Sequence, residues 1–248
     1  MKKQTQRADR AEQIDVLGVR FDNLTMDEAV EQAWACMQER RAAYVVTPNP
    51  EIVMACREDA AAAAAVSGAD LTIADGIGVI YGARLRKTPL KQKLPGIDFT
   101  TRMITRLAEC GGSLYLLGGK PGVAEQAGNN LLARFPGLRV VGCGDGYFQE
   151  DGPVVEKINA AAPDLLMVCL GAPKQEKWMH KNAPRLNAGL LIGAGGSVDV
   201  FAGTAQRAPE FFQRAGLEWF YRLLREPWRL GRMMMLPRFL LCAMFRTQ

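Results

Sequence analysis

From about residue 40 to residue 203, short apolar runs alternate with stretches of helical period. The runs Ala43–Val46, Leu71–Ala74, Ser113–Leu117, Leu138–Val141, Asp164–Leu170 and Gly189–Ile192 are almost continuously apolar, which predicts strands covered on both faces. Between them, Glu51–Val66, Gly76–Arg84, Asp98–Cys110, Val123–Phe135, Pro153–Ala161 and Lys174–Ala183 repeat their apolar positions at helical spacing. Ahead of this alternation, Ile14–Phe21 predicts a short strand pair. Thr25-Met26-Asp27-Glu28 then forms a capping box, opening an amphipathic helix to about Arg40. After Gly203 only helical pattern remains. The expected class is α/β: a Rossmann-like, mainly parallel sheet with helices on both faces in a body spanning 1–203, and a helical appendage spanning 204–248.

Each predicted strand runs into a polar or glycine-rich turn. These are Thr47-Pro48-Asn49-Pro50, Asp75-Gly76, Gly118-Gly119-Lys120-Pro121-Gly122, Gly142-Cys143-Gly144-Asp145-Gly146-Tyr147, Gly171-Ala172-Pro173-Lys174-Gln175-Glu176 and Gly193-Ala194-Gly195-Gly196-Ser197-Val198-Asp199. In a doubly wound sheet such turns gather at the carboxyl ends of the strands, the edge where these folds bind ligands. Six turns on one rim signal a site better than any one of them.

Charge changes the picture of the appendage. The chain carries 31 Lys+Arg against 26 Asp+Glu, a net +5. From Arg214 onward there are seven arginines, no lysine and only Glu218 and Glu226, so the net positive charge sits there and the body is neutral. Leu217, Phe220, Tyr221, Leu224 and Trp228 recur at helical spacing with Arg222, Arg225, Arg229 and Arg232 interleaved. Arginine and tryptophan beside Met233-Met234-Met235-Leu236 suit an interfacial helix on anionic lipid headgroups. A core-packed helix with a solvated basic face fits as well. Nucleic-acid binding fits less, because the lysines are missing and the apolar content is high. Such an appendage also leaves packing against a second copy of the chain open.

Residue usage narrows the chemistry further. Six cysteines without a CxxC pair argue against a disulfide scaffold or cysteine zinc site, and the single histidine, His180, excludes a multi-histidine metal site. The polar Met1–Asp15 stretch lacks the apolar core of a signal peptide, and no run approaches the roughly 18 apolar residues of a membrane span. A cytoplasmic location is expected. No Asp-x-Asp occurs, so a diphosphate would be held by N–H dipoles, Lys93 and arginines rather than by a bound divalent metal.

Asp75 ends a buried strand before a glycine, where a desolvated carboxylate can serve as a general base; a helix cap explains the same position. Thr47 and Asn49 sit in an Asn-Pro turn that turn chemistry alone accounts for. Gly118-Gly119-x-Pro-Gly122 resembles a phosphate-cradling loop, although it is neither a Walker loop nor a full G-x-G-x-x-G. Gly195-Gly196 allows close backbone approach to a ligand, with Asp199 able to accept from ribose hydroxyls. Gln175 falls near the rim, and His180 reads as a packed or surface histidine.

Taken in order, these stretches resemble the WecG/TagA/CpsF glycosyltransferase family. The match runs through Thr47-Pro48-Asn49-Pro50-Glu51, Ala74-Asp75-Gly76-Ile77-Gly78-Val79, Pro95-Gly96-Ile97-Asp98 and Leu117-Gly118-Gly119-Lys120-Pro121-Gly122. It continues through Gly144-Asp145-Gly146-Tyr147-Phe148, Gly171-Ala172-Pro173-Lys174-Gln175-Glu176, Gly195-Gly196-Ser197-Val198-Asp199 and Arg207-Ala208-Pro209. It ends in Glu218-Trp219-x-Tyr221-Arg222 and Glu226-Pro227-x-x-Arg229. The resemblance implies a UDP-sugar donor, a polyprenyl-diphosphate-linked acceptor, no metal, no further cofactor and peripheral association with the inner face of the cell membrane. It implies that Asp75 deprotonates the acceptor hydroxyl for inverting attack. Thr47, Asn49, Lys93 and Gln175 would line the sugar and acceptor pocket. Gly118, Gly119, Tyr147, Gly171, Gly195 and Asp199 would hold the nucleotide. Arg222, Arg229 and Arg232 would fold over the site onto the diphosphates. Lys93 stands where the family pattern has arginine, keeping the charge without bidentate phosphate recognition.

The activity implied is transfer of N-acetylmannosamine to undecaprenyl-diphosphate-linked N-acetylglucosamine, as in wall teichoic acid linkage-unit synthesis. UDP-glucose or an N-acetylmannosaminuronic donor is the nearest alternative, since those sugars differ by a few polar groups. A non-catalytic nucleotide- or lipid-binding protein using the same rim is the alternative from another class.

Overall fold

The computed structural model describes residues 11–225, 231 and 234–245, apart from the side chain of Arg222. Its centre is a six-stranded sheet in the order β4-β3-β8-β7-β5-β6, with every adjacent pair parallel. The strands are β3 (Ala43–Val46), β4 (Leu71–Thr72), β5 (Ser113–Gly118), β6 (Arg139–Gly144), β7 (Leu165–Cys169) and β8 (Leu190–Gly193). β1 (Gln13–Val16) and β2 (Val19–Asp22) form a separate antiparallel hairpin. The Asp22 carboxylate accepts from the Thr72 N–H at 2.8 Å, satisfying a donor on the edge strand β4.

Period-two alternation divides the sheet between two cores. Tyr44, Val46, Tyr115, Leu117, Leu166, Val168 and Leu191 point into one. The intervening Ala43, Val45, Leu114, Leu116, Leu165, Met167, Leu190 and Ile192 point into the other. The first core is covered by the hairpin and by α2 (Pro50–Glu58), α3 (Ala60–Ser67), α4 (Ile77–Leu85), α7 (Asp151–Ala161) and α8 (Lys174–Asn182). The second is covered by α1 (Met26–Gln38), α5 (Gly96–Glu109), α6 (Val123–Arg134) and α9 (Ser197–Ala202). α1 opens with the predicted capping box, Thr25 and Glu28 each bonding to the other's backbone N–H.

One sequence expectation changes. The single helix predicted over Glu51–Val66 is two helices that meet at Asp59. That residue is extended, with φ −134°, and its carboxylate accepts from the Ala61 and Ala62 N–H groups to cap α3. In the appendage the sequence left a membrane-facing and a core-packed helix open. α10 (Glu210–Arg214), α11 (Glu218–Arg225) and α12 (Met235–Phe245) are helical, as the pattern predicts. α12, however, is built into the body: Phe239 and Ala243 belong to the first core, and Arg238 pairs with Glu58 of α2 at 2.7 Å. Glycines in α4 make the room, because a Cβ at Gly82 would lie 2.6 Å from the Phe239 ring and one at Gly78 2.6 Å from Leu236. Among the described residues, no helix is long and apolar enough to cross a membrane.

Candidate active site

The strand order sets which turns can share a ligand. Asp75 follows β4, Thr47 follows β3, Gly195 follows β8, Gly171 follows β7 and Gly118 closes β5, all at the same end of a parallel sheet. At about 4.8 Å between strands, Asp75 lies two strand positions, roughly 10 Å, from the Gly195 turn and four positions, roughly 19 Å, from the Gly118 turn. The rim is therefore elongated and divides into two halves.

The β4-β3-β8 half holds Asp75, Thr47, Asn49, Gln175 and Gly195. The Asp75 N–H donates to Pro48 O at 3.2 Å, which fastens the Asp75 turn to the Thr47–Pro50 turn. The Thr47 hydroxyl donates to Gly193 O at 3.2 Å, joining the ends of β3 and β8. Gln175 is buried, and its Oε1 accepts from the Gly195 N–H at 3.1 Å. Gly195 has φ +53° and nothing within 4 Å of where a Cβ would stand, so its turn presents bare backbone. The Asn49 carboxamide oxygen accepts from the Ile52 N–H at 3.0 Å, so this side chain also caps α2. The N-cap position of α4 belongs to Gly76, at φ +83°, and carries no side-chain cap.

Lys93 reaches the same half from the loop ahead of α5, since the Leu94 N–H donates to Ala74 O at 2.8 Å. Its ammonium lies 3.4 Å from the Glu218 carboxylate at the start of α11. Glu218 is 3.5 Å from Arg207, whose guanidinium grips Asp98 of α5 through bonds of 2.6 and 2.8 Å. That fork to Asp98, ahead of the Glu218 contribution, holds the Arg207 pKa above its ordinary value. A Cβ at Gly216 would lie 3.0 Å from Ile77, the residue that opens α4. The segment from Arg207 to Glu218 thus crosses the starts of α5 and α4 beside Asp75.

The β7-β5-β6 half holds Gly118, Gly119, Gly171, Tyr147 and, in the first turn of α9, Asp199. Gly118 is a glycine for a reason internal to the sheet: a Cβ there would lie 2.2 Å from Cys169 O of β7. Gly119 O accepts from the Gly146 N–H at 2.9 Å, and Lys174 Nζ donates to Gly146 O at 3.0 Å, clasping the loop that carries the exposed Tyr147. Gly171 O accepts from the Gln175 N–H at 2.8 Å. The Ala172–Pro173 peptide between them is cis. Asp199 O accepts from the Thr204 and Ala205 N–H groups at the end of α9.

Of the predicted site residues, Arg229 and Arg232 lie outside the described residues, as does the side chain of Arg222. Among the described residues, no cluster of three or more His, Cys, Asp or Glu could hold a metal ion. His180 is an exposed histidine whose Nδ1 is 3.0 Å from the Tyr44 hydroxyl.

Sequence reasoning gave no role to Glu176, Arg207, Asp98 or Glu218. Glu176 is fully buried, and burial pushes its carboxyl up to about 7, against the opposing bond from Gln175. Its signal was the helical spacing that puts Gln175, Glu176, Met179 and Asn182 on one buried face of α8. The Lys93–Glu218 and Arg207–Asp98 pairs join residues more than 100 positions apart and carry no local signal.

The chain matches the sequence profile described as Glycosyl transferase WecG/TagA/CpsF family over residues 14–248. Three similar proteins carry the name N-acetylglucosaminyldiphosphoundecaprenol N-acetyl-beta-D-mannosaminyltransferase. The one from Bacillus spizizenii is 35% identical over 203 residues, covering 82% of this chain and 79% of that protein. The one from Staphylococcus aureus (strain MW2) is 34% identical over 230 residues, covering 92% and 90%. The one from Bacillus subtilis (strain 168) is 33% identical over 208 residues, covering 84% and 81%. With its parallel sheet, its rim of turns and a match extending from the first hairpin into the last helix, this chain belongs to the WecG/TagA/CpsF glycosyltransferase family.

Proposed function

We propose that the chain is an inverting glycosyltransferase that moves N-acetyl-D-mannosamine from UDP to the 4-hydroxyl of N-acetylglucosamine carried on undecaprenyl diphosphate, in wall teichoic acid linkage-unit or related surface-polysaccharide synthesis. The acceptor oxygen attacks the anomeric carbon, the bond from that carbon to UDP breaks on the opposite face, and Asp75 takes the hydroxyl proton. The single observation that carries this reading is the bond from the Asp75 N–H to Pro48 O, which holds the turn bearing Asp75 against the turn of Thr47 and Asn49, where the Thr47 hydroxyl meets Gly193 O. Gln175 at the end of the same half supports a pocket for the transferred sugar, and the glycine turns of the other half suit a nucleotide diphosphate. The departing diphosphate would be met by Lys93 and by the arginines of the appendage, Arg222, Arg229 and Arg232.

A lipid-linked acceptor requires the site to work at a membrane surface. Phe211, Phe220, Leu224, Met234, Leu241, Met244 and Phe245 are exposed apolar residues of the basic appendage, and they support peripheral binding to anionic lipid. Flotation with anionic liposomes tests this; binding to nucleic acid without flotation would overturn it.

The deciding experiment supplies a panel of UDP-sugars with a short-chain lipid-diphosphate acceptor. UDP-N-acetylmannosamine should be the donor used, and Asp75→Asn should lower kcat by about 10²–10⁴ while UDP binding is retained. Turnover of Asp75→Asn within a few fold of the parent chain removes Asp75 from the mechanism. Preference for UDP-glucose or an N-acetylmannosaminuronic donor moves the chain to another branch of the family.

A further inference from the structure

Glu176 is a buried acid that the proposed transfer does not use. It has no exposed surface. One carboxyl oxygen, Oε1, accepts from Gln175 Nε2 at 2.8 Å, while the other, Oε2, is buried with no hydrogen-bond partner. The titratable groups acting on it from α2 are Glu51 and Cys56, neither of which favours a carboxylate. The cations of α8 are engaged elsewhere: Lys174 with Gly146 O, Lys177 with Asp59 and Lys181 with Asp151, while His180 meets Tyr44. No ion pair among these explains a glutamate here.

What Glu176 does touch is the amide of Gln175. A glutamine amide has nearly the same shape after a half-turn that exchanges its oxygen and nitrogen, so its orientation is decided by its neighbours. On one side stands the Gly195 N–H, which can only donate, and Gln175 Oε1 accepts from it at 3.1 Å. On the other stands the Glu176 carboxyl, whose Oε1 accepts from the amide nitrogen at 2.8 Å. These two neighbours leave one orientation. The amide nitrogen also lies 3.1 Å from where a Cβ at Gly193 would be, against the turn whose carbonyl takes the Thr47 hydroxyl.

We propose that Glu176 is a positioning residue: it locks the Gln175 amide in the orientation that accepts from the Gly195 N–H, and so fixes the Gly193–Gly195 turn and the sugar-facing edge of the site. The inference rests on the reading of Gln175 as part of the sugar pocket. A buried methionine or leucine would pack here more cheaply, because an unpartnered buried carboxyl oxygen is costly. The glutamate supplies an acceptor those residues lack.

The test compares Glu176→Leu and Glu176→Gln with the parent chain, reading amide hydrogen exchange at Gly195 together with kcat and KM for the UDP-sugar. Glu176→Leu removes the acceptor, so Gly195 exchange should rise about tenfold and KM should rise by a similar factor with kcat changed less, the loss of one hydrogen bond. Glu176→Gln keeps the volume but can itself flip, so both quantities should rise about threefold, which also covers a Glu176→Leu chain that does not fold. Parent-like exchange at Gly195 in the folded variants overturns the proposal, and so does faster exchange with unchanged KM. If no UDP-sugar is turned over by the parent chain, the transferase reading has failed, while the exchange measurement still reports on the lock.

Discussion

The docking of α12 gives a sharp energetic prediction, because ring and slot are both defined. Phe239 is fully buried, and a Cβ at Gly82 would sit 2.6 and 2.7 Å from two of its ring carbons, with Val16 at 3.3 Å. Phe239→Ala should cost about 3–5 kcal/mol, the usual range for removing a buried phenylalanine. Gly82→Ala gains about 1 kcal/mol of helix propensity but forces a methyl into the ring, costing about 1–3 kcal/mol. In the double variant the new methyl enters space the ring has left. The two effects should then be less than additive by about 1–2 kcal/mol, as expected for residues in direct contact. Urea unfolding followed by tryptophan fluorescence measures all four corners of the cycle, and hydrogen exchange along Met235–Phe245 shows whether the loss is confined to α12. Additivity within about 0.5 kcal/mol would refute the contact, and a Phe239→Ala cost below about 1 kcal/mol would refute the burial.

The glycines of the rim should separate by cause. Gly118→Ala should cost more than about 4 kcal/mol or prevent folding, because its Cβ would lie 2.2 Å from a β7 carbonyl oxygen, whereas Gly195→Ala, with open space around it, should cost about 1–2 kcal/mol from positive φ alone; thermal denaturation of the two variants distinguishes them, and equal effects would refute the assignment. The buried carboxyl of Glu176 should make stability depend on pH. Its folded pKa is raised from 4.5 to about 7, so its neutral form favours folding below 4.5, and that contribution is lost as pH rises through 7. Relative to Glu176→Gln, the parent chain should therefore lose about 3 kcal/mol of unfolding free energy between those limits, read by urea titration at each pH; parallel pH curves would refute it.

The fold was legible because its signals are local. Continuous apolar runs mark the strands, which are buried along their length except for the edge strand β6, and the polar turn after each one marks the carboxyl end of the sheet. The break at Asp59 escaped because Ala60–Ala65 prolongs a helical pattern across it, and only the extended backbone of Asp59 separates α2 from α3. The docking of α12 stayed one of two open readings for a related reason. A methionine- and leucine-rich segment reads equally as membrane-facing or core-facing, and the choice is made by Gly78 and Gly82, some 160 residues earlier in the chain. A cut after Gly203 would consequently uncover the Phe239 and Leu236 slots as well as remove the arginines.

The site divides in the same way. Residues that occupy turns at strand ends could be placed on one rim from the alternation of elements, since a parallel sheet leaves those turns no other edge. Strand order then adds what the sequence lacks. β8 and β7, the last strands of the sheet, insert between β3 and β5, so the Gly195 and Gly171 turns come to stand between Asp75 and Gly118. That insertion gives Gln175, on the helix after β7, its reach to the β8 turn, and it brings Thr47 against Gly193. Glu176 lies one step behind this contact. Lys-Gln-Glu opening a helix is the composition of a solvated first turn, with an acid well placed for the helix dipole. Only the packing of α8 on the sheet turns that acid inward, where the hydrogen bond to Gln175 accounts for it better than solvation or dipole does.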